Sequence, residues 1–161
     1  MFDGSQITSL VKDLGVTHVV TVPDTTIGPW LAQFREYSVD VIQVCREGEA
    51  WSIAMGLHLG GATPLVLIQC TGLFESGDAL RNALYDYRLP LFAMVGYRSY
   101  LSQASLPGDT CLRFTEPILD AWGVDTVFVD APERIDEVAA HFRSCQAEAK
   151  PGIALFAEGR A

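Results

Sequence analysis

Apolar positions along the chain follow two rhythms in alternation. Over residues 4–14, Ile7, Leu10, Val11 and Leu14 recur at three- and four-residue spacing, which predicts a helix. THVVTV (17–22) is then an unbroken apolar run closed by Pro23-Asp24, which predicts a buried strand. Gly28-Pro29 opens a short helix with Trp30, Leu31 and Phe34 on one side, and VDVIQV (39–44) predicts the second strand. Residues 47–60 read as a helix rich in small residues that closes at Gly60-Gly61. PLVLIQC (64–70) predicts the third strand, TGLFESG a glycine-marked turn, 76–87 a helix and PLFAMVG (90–96) the fourth strand. Residues 97–112 read as loop, with Pro107-Gly108-Asp109 as its turn signal, and a helix begins near Glu116-Pro117, because proline suits a first turn. VDTVFV (124–129), a last helix over 132–149 and GIALFA (152–157) complete the pattern.

Continuously apolar strands separated by helices predict a parallel sheet covered on both faces. The fold class is α/β: a three-layer, doubly wound sheet of about six mainly parallel strands. Ligands of such sheets sit beyond the carboxyl ends of the strands. Those ends include Pro23-Asp24, Cys45-Arg46-Glu47, Cys70-Thr71-Gly72 and Gly96-Tyr97-Arg98, where the notable polar residues fall.

Composition narrows the function. The chain has 161 residues, enough for one domain with a sizeable core. It is 49% hydrophobic and only 19% charged, which suggests doubly buried strands or a large subunit interface. A net charge of −9 with no Lys/Arg cluster argues against nucleic-acid and anionic-membrane partners. No apolar run approaches the roughly 20 residues of a membrane span, and no signal-peptide core precedes the first helix. Cysteines 45, 70, 111 and 145 form no CxxC pair and have no histidine at ligand spacing, so free thiols in a reducing cytoplasm and no metal site are expected. No GxGxxG follows the first strand, and no P-loop or HExxH is present. His18, His58 and His141 are scattered and read as structural.

The stretch CREGEAWSIAMG (45–56) carries the chemistry question. Glu47 sits where strand becomes helix, and Glu49 sits in the first turn. Either acid suits a helix N-terminus, so ordinary helix-start acids are one reading. Ala50, Ala54 and Gly56 follow at offsets of three, seven and nine from Glu47, putting small residues along one face where something packs closely.

A strand followed by E-x-x-A-x-x-x-A-x-G resembles the pyrimidine-binding (Pyr) domain of thiamine-diphosphate enzymes. The resemblance continues through VVTVPDTTIGPWL (19–31), similar to that family's opening strand and proline/aspartate loop. It continues again through LIQCTGLFESGDALRNALYDYRLPLFAMVGYRS (67–99), similar to its strand, T/S-G-x-G-type turn, helix and strand. The REGEA and Q-x-T-G-L wording is that of the alpha subunits of sulfopyruvate decarboxylases and of the related phosphonopyruvate decarboxylases. The resemblance implies the thiamine-diphosphate-binding fold, with residues 1–161 as one Pyr domain. It implies that Glu47 hydrogen-bonds the aminopyrimidine and favours the imino tautomer, whose nitrogen takes the proton from the thiazolium. A carboxyl shielded from water suits that sharing. Glu49 then reads as a helix-start or interface acid. Asp24 is implied as an acid/base residue beside the substrate, against the alternative of a turn-capping aspartate. Pro23, Thr71, Gly72, Leu73 and Phe74 are implied as cofactor contacts, with Phe74 where relatives often carry glycine. Arg98 reads either as an anchor for an acidic substrate group or as a surface arginine.

Two departures shape the expectation. The loop before the fifth strand has no histidine, and Gln103, Arg113 and Glu116 are its polar candidates for a proton relay. No GDG with a downstream asparagine is present, so the diphosphate and Mg²⁺ are expected on the PP domain of a separate beta subunit, in an α2β2 or larger assembly. The resulting expectation is the alpha subunit of a split 2-oxo acid decarboxylase. An acyloin-forming carboligase subunit and a non-catalytic Pyr-like scaffold are the alternatives. An unrelated flavodoxin-like domain ranks last, because the T-G turn follows the third strand rather than the first.

Overall fold

The computed structural model describes residues 2–104 and 106–159; Met1, Arg160, Ala161 and Ser105, which falls in the stretch read as loop, lie outside them. Six strands form one sheet: β1 (His18–Thr21), β2 (Asp40–Gln43), β3 (Pro64–Gln69), β4 (Phe92–Tyr97), β5 (Asp125–Val129) and β6 (Gly152–Ala157). Their order is β2-β1-β3-β4-β6-β5, and every neighbouring pair is parallel. Parallel neighbours require crossover connections, and helices supply them. The helices are α1 (Gly4–Asp13), α2 (Leu31–Glu36), α3 (Glu47–Leu59), α4 (Cys70–Arg81), α5 (Cys111–Trp122) and α6 (Ile135–Ala147).

Each strand side chain points to the face opposite its neighbour's, and here both faces are dry. Leu65 and Leu67 of β3 join Val19, Phe92 and Met94 against Ile7 and Val11 of α1, Phe34 of α2 and Phe142 of α6. Val66 and Ile68 join Val20, Ala93 and Val95 against Ala50 and Trp51 of α3, Leu73 and Leu80 of α4 and Leu119 of α5. That double burial is why the strands read as unbroken apolar runs rather than alternating ones.

Two elements depart from the sequence expectation. α4 starts at Cys70, directly after β3, so Thr71-Gly72-Leu73 is a first helical turn and not a free turn. The break comes instead at Gly77, whose φ of 28° and ψ of −104° suit a residue without Cβ, and a short π-helical turn, Asn82–Asp86, follows. α5 starts at Cys111, with Pro117 inside it. Asp109 supplies the start signal: its Oδ1 accepts from the Cys111 N–H at 3.0 Å. Pro117 then lacks only the N–H that would have bonded one turn back.

A candidate active site at the carboxyl edge of the sheet

Glu47 is the first residue of α3, delivered there by β2 and an extended Arg46. Its side chain lies directly across the backbone of Gly72 in α4: a Cβ built at Gly72 would fall 2.4 Å from Glu47 Cγ and 2.6 Å from its Oε1. Any side chain larger than glycine there would displace Glu47 from this seat. The two helix starts are clamped on the far side by Glu75. Its Oε2 accepts from the Gly48 N–H at 2.8 Å, and its Oε1 accepts from Arg46 Nε at 2.7 Å. The Gly48 bond first, and Arg46 next, hold Glu75 below the usual carboxylate range. Glu49 is exposed and turns back to accept from the Cys45 N–H at 3.3 Å. Glu47 is half-buried, and its carboxylate receives no hydrogen bond from the described residues. Of the three acids at this junction, it is the one left open to a ligand.

Thr71 is exposed beside this contact, and Phe74 is half-buried. Leu73 is fully buried in the core, which leaves only its backbone for a ligand. Pro23 is exposed at the end of β1. Asp24 closes the following turn, its Oδ1 accepting from the N–H groups of Thr26 at 2.8 Å and Ile27 at 2.7 Å. Its Oδ2 is buried without a partner among the described residues, as are Thr21 Oγ1 and Gln33 Oε1. Three orphaned polar atoms in one short segment are costly unless something outside the chain reaches them.

That segment borders a cavity of about 550 Å³, lined by Thr26, Trp30 and Gln33 and by Gln69, Arg98 and Glu158 from the ends of β3, β4 and β6. Glu158 is 7% exposed. Its carboxyl lies over Gly96, where a Cβ would stand 2.0 Å from Oε1, and Gln69 Nε2 donates to its Oε2 at 3.0 Å. Burial pushes Glu158 up to about 7; the Asp24 charge adds to the rise, while Gln69 and Arg98 oppose it. Gln69 continues the line toward Glu47: its Oε1 accepts from Thr71 Oγ1 at 3.4 Å. The strand-end rule, applied to the first four strands, finds Glu47 and Asp24; carried on to β6 it reaches Glu158, the acid the sequence reading missed.

Arg98 is ion-paired with Asp109 at 3.2 Å, so it meets the cavity already partly neutralised. The Ser99 hydroxyl, then the Cys111 N–H, with Arg98 adding to both, hold Asp109 down at about 2. Two of the three relay candidates of the loop are engaged elsewhere, and Gln103 is exposed. Glu116 accepts from the Tyr97 hydroxyl at 3.2 Å, and Arg113 stacks on Phe114 at 5.2 Å. At the opposite edge of the sheet lies a His/Cys/Asp cluster that the sequence reading did not bring together. His141 and Cys145 stand one turn apart on α6, and with Asp125 they place one ligand atom each within 4.8 Å of one another. Sequence spacing hid the set because Asp125 arrives from β5. Lys150 already holds Asp125 at 2.7 Å, and burial pushes the Cys145 thiol up to about 11.

Residues 4–110 match the family of thiamine pyrophosphate enzymes, N-terminal TPP binding domain. The chain is 23% identical to the sulfopyruvate decarboxylase subunit alpha of Methanocaldococcus jannaschii, over 93% of this chain and 89% of that one. It is 26% identical to the phosphonopyruvate decarboxylase of Streptomyces viridochromogenes, over 91% of this chain but 37% of the relative. Among solved structures, benzoylformate decarboxylase from Polynucleobacter necessarius superposes with a TM-score of 0.73 at 20% identity, over 95% of this chain and 29% of that one. The chain thus corresponds to one part of the larger relatives and to most of the smaller one. No helix among the described residues is long and apolar enough to cross a membrane.

Proposed function

The chain belongs to the family of thiamine pyrophosphate enzyme N-terminal TPP binding domains, and from that premise we propose that it is the pyrimidine-binding alpha subunit of a heteromeric 2-oxo acid decarboxylase of the sulfopyruvate/phosphonopyruvate type. The observation that carries the reading is the Glu47 carboxylate, seated over Gly72 at a helix start and given no hydrogen-bond donor by the described residues. When bound, thiamine diphosphate supplies the carbanion chemistry that decarboxylation needs. Glu47 is the residue that would hold the aminopyrimidine, with Thr71, the Gly72 and Leu73 backbone, Phe74 and Pro23 around it. What Glu47 contributes is an acceptor fixed in place and able to share a proton.

The partner is a beta subunit carrying the PP half, with its GDG…N motif, the diphosphate and Mg²⁺. Two observations support a partner. The relative from Methanocaldococcus jannaschii is itself a subunit alpha and matches nearly end to end. In addition, α3 carries apolar side chains all round, with Ile53, Met55 and Leu57 only half-buried and Leu59 67% exposed. A helix apolar on every side is normally covered on every side. Covering it would also dehydrate Glu47 at its start.

The test is Glu47→Gln in the chain co-expressed with its partner, with sulfopyruvate as substrate. The variant assembles normally and loses turnover by at least about 100-fold. Turnover near that of the unmodified complex would overturn the assignment.

A further inference from the structure

We propose that Glu158 is a second catalytic residue of this site: the acid that delivers the proton consumed in decarboxylation, standing in for the histidine absent from the loop after β4. The proposal rests on the decarboxylase reading. The reaction R–CO–COO⁻ + H⁺ → R–CHO + CO₂ breaks one C–C bond and forms one C–H bond. A proton must therefore reach the carbon that loses CO₂. Glu158 gives up its carboxyl proton, becomes a carboxylate, and is reprotonated by solvent through the cavity mouth.

The geometry supports this in three ways. Glu158 faces a cavity of about 550 Å³ large enough to admit a small substrate, and its carboxyl is held from below by the bare backbone of Gly96. Its own backbone is pinned on both sides, the Glu158 N–H donating to Tyr97 O at 3.1 Å and Glu158 O accepting from the Leu101 N–H at 2.9 Å. Gln69 joins it to Thr71, next to the Gly72 backbone across which Glu47 lies.

The surroundings favour a neutral acid. Gln69 donates to one oxygen, Asp24 brings a negative charge from the loop after β1, and Arg98, the cation at the end of β4, is already held by Asp109. Asp3, at the start of α1, also lines the cavity and adds no positive charge. Asp24 is committed to its turn through one oxygen, and its other oxygen is buried without a partner among the described residues. Glu158, raised to about 7, still carries its proton close to neutrality. Turnover that needs the protonated form falls as pH rises through that value.

The test compares Glu158→Gln and Glu158→Asp in the assembled complex with thiamine diphosphate and sulfopyruvate. Hydrogen–deuterium exchange at C2 of the bound cofactor is read alongside turnover. Glu158→Gln keeps cofactor binding and C2 exchange, loses about 100-fold in kcat, and loses the decline in kcat above pH 7. Glu158→Asp recovers part of the rate and keeps that decline. Infrared titration of the unmodified chain shows a carboxyl stretch disappearing near pH 7 that Glu158→Gln lacks. Unchanged turnover and pH profile in Glu158→Gln overturn the proposal. Parallel loss of assembly or cofactor binding in both variants overturns it too, in favour of a structural role. Absence of C2 exchange in the unmodified complex overturns the decarboxylase reading itself, and with it this inference.

Discussion

Gly72→Ala separates the position of Glu47 from its presence. The new methyl would stand 2.4 Å from Glu47 Cγ and 2.7 Å from Cδ. An unstrained carbon–carbon contact needs about 3.5 Å or more, so one of the two must retreat by roughly 1 Å. Gly72 is buried within a helical turn whose neighbour, Leu73, is locked in the core. Glu47 is half-exposed, and its carboxylate has no hydrogen bond from the described residues to lose. Glu47 therefore moves. Stability hardly suffers, because alanine in a helix is favoured over glycine by about 1 kcal/mol, which offsets the residual crowding.

Activity does suffer. A catalytic group displaced by about 1 Å costs on the order of 100-fold, or about 2.7 kcal/mol of barrier. The expected variant thus melts within a few degrees of the parent, assembles with its partner, and exchanges the cofactor C2 proton about 100-fold more slowly. Thermal denaturation by circular dichroism and quenched-flow deuterium exchange measure the two quantities. Parental exchange kinetics in a well-folded Gly72→Ala complex would show that the seat on Gly72 does not position Glu47, and the reasoning would be wrong.

Three further outcomes follow from the same geometry. Gly96→Ala places a methyl 2.0 Å from an oxygen of the buried Glu158 carboxyl, which can retreat only by giving up its bond from Gln69, so urea denaturation should show a loss of about 1–3 kcal/mol, unlike Gly72→Ala. Ser76→Ala strips the partner from the buried Trp51 indole, which donates at 2.9 Å, and costs about 1–3 kcal/mol in the same assay, whereas an unchanged midpoint would mean that the N–H finds another acceptor. Glu158, moved from 4.5 to about 7 in the folded chain, binds more protons folded than unfolded between those values. Its contribution is thus fully present below about 4.5 and is lost as pH rises through about 7. Glu158→Gln should therefore gain up to about 3 kcal/mol relative to the parent above pH 7 and none below 4.5, and equal gains at both pH values would contradict the assigned burial.

The strands were legible because a doubly covered parallel sheet writes each of them as an unbroken apolar run, as GIALFA at 152–157 shows with bounds matching β6. The start of α4 was not. Glycine in Cys70-Thr71-Gly72 resembles a turn residue, but Gly72 is there to make room for a side chain 25 positions earlier and has no left-handed backbone. Local sequence does not tell those two uses of glycine apart. Glu47 was legible by its place at a strand-to-helix junction. Glu158 was not marked by any neighbour in the chain, since Gln69, which holds it, is 89 residues away. The metal-like trio was hidden in the same way, its third member arriving from a different strand.

Glu47 and Glu158 occupy the same kind of seat, each carboxyl laid over a glycine at the carboxyl edge of the sheet, with Gln69 and Thr71 between them. Their surroundings differ in one respect. Glu158 is enclosed by its own chain, so its preference for the neutral form exists before any partner arrives. Glu47 is half-open, on a helix whose outer apolar side chains are uncovered. Burial of that helix would remove water from Glu47, whereas Glu158 is already removed from water by its own chain. On the proposed reading, assembly would therefore act on cofactor activation at Glu47, while the proposed acid, Glu158, would already be set in the free subunit.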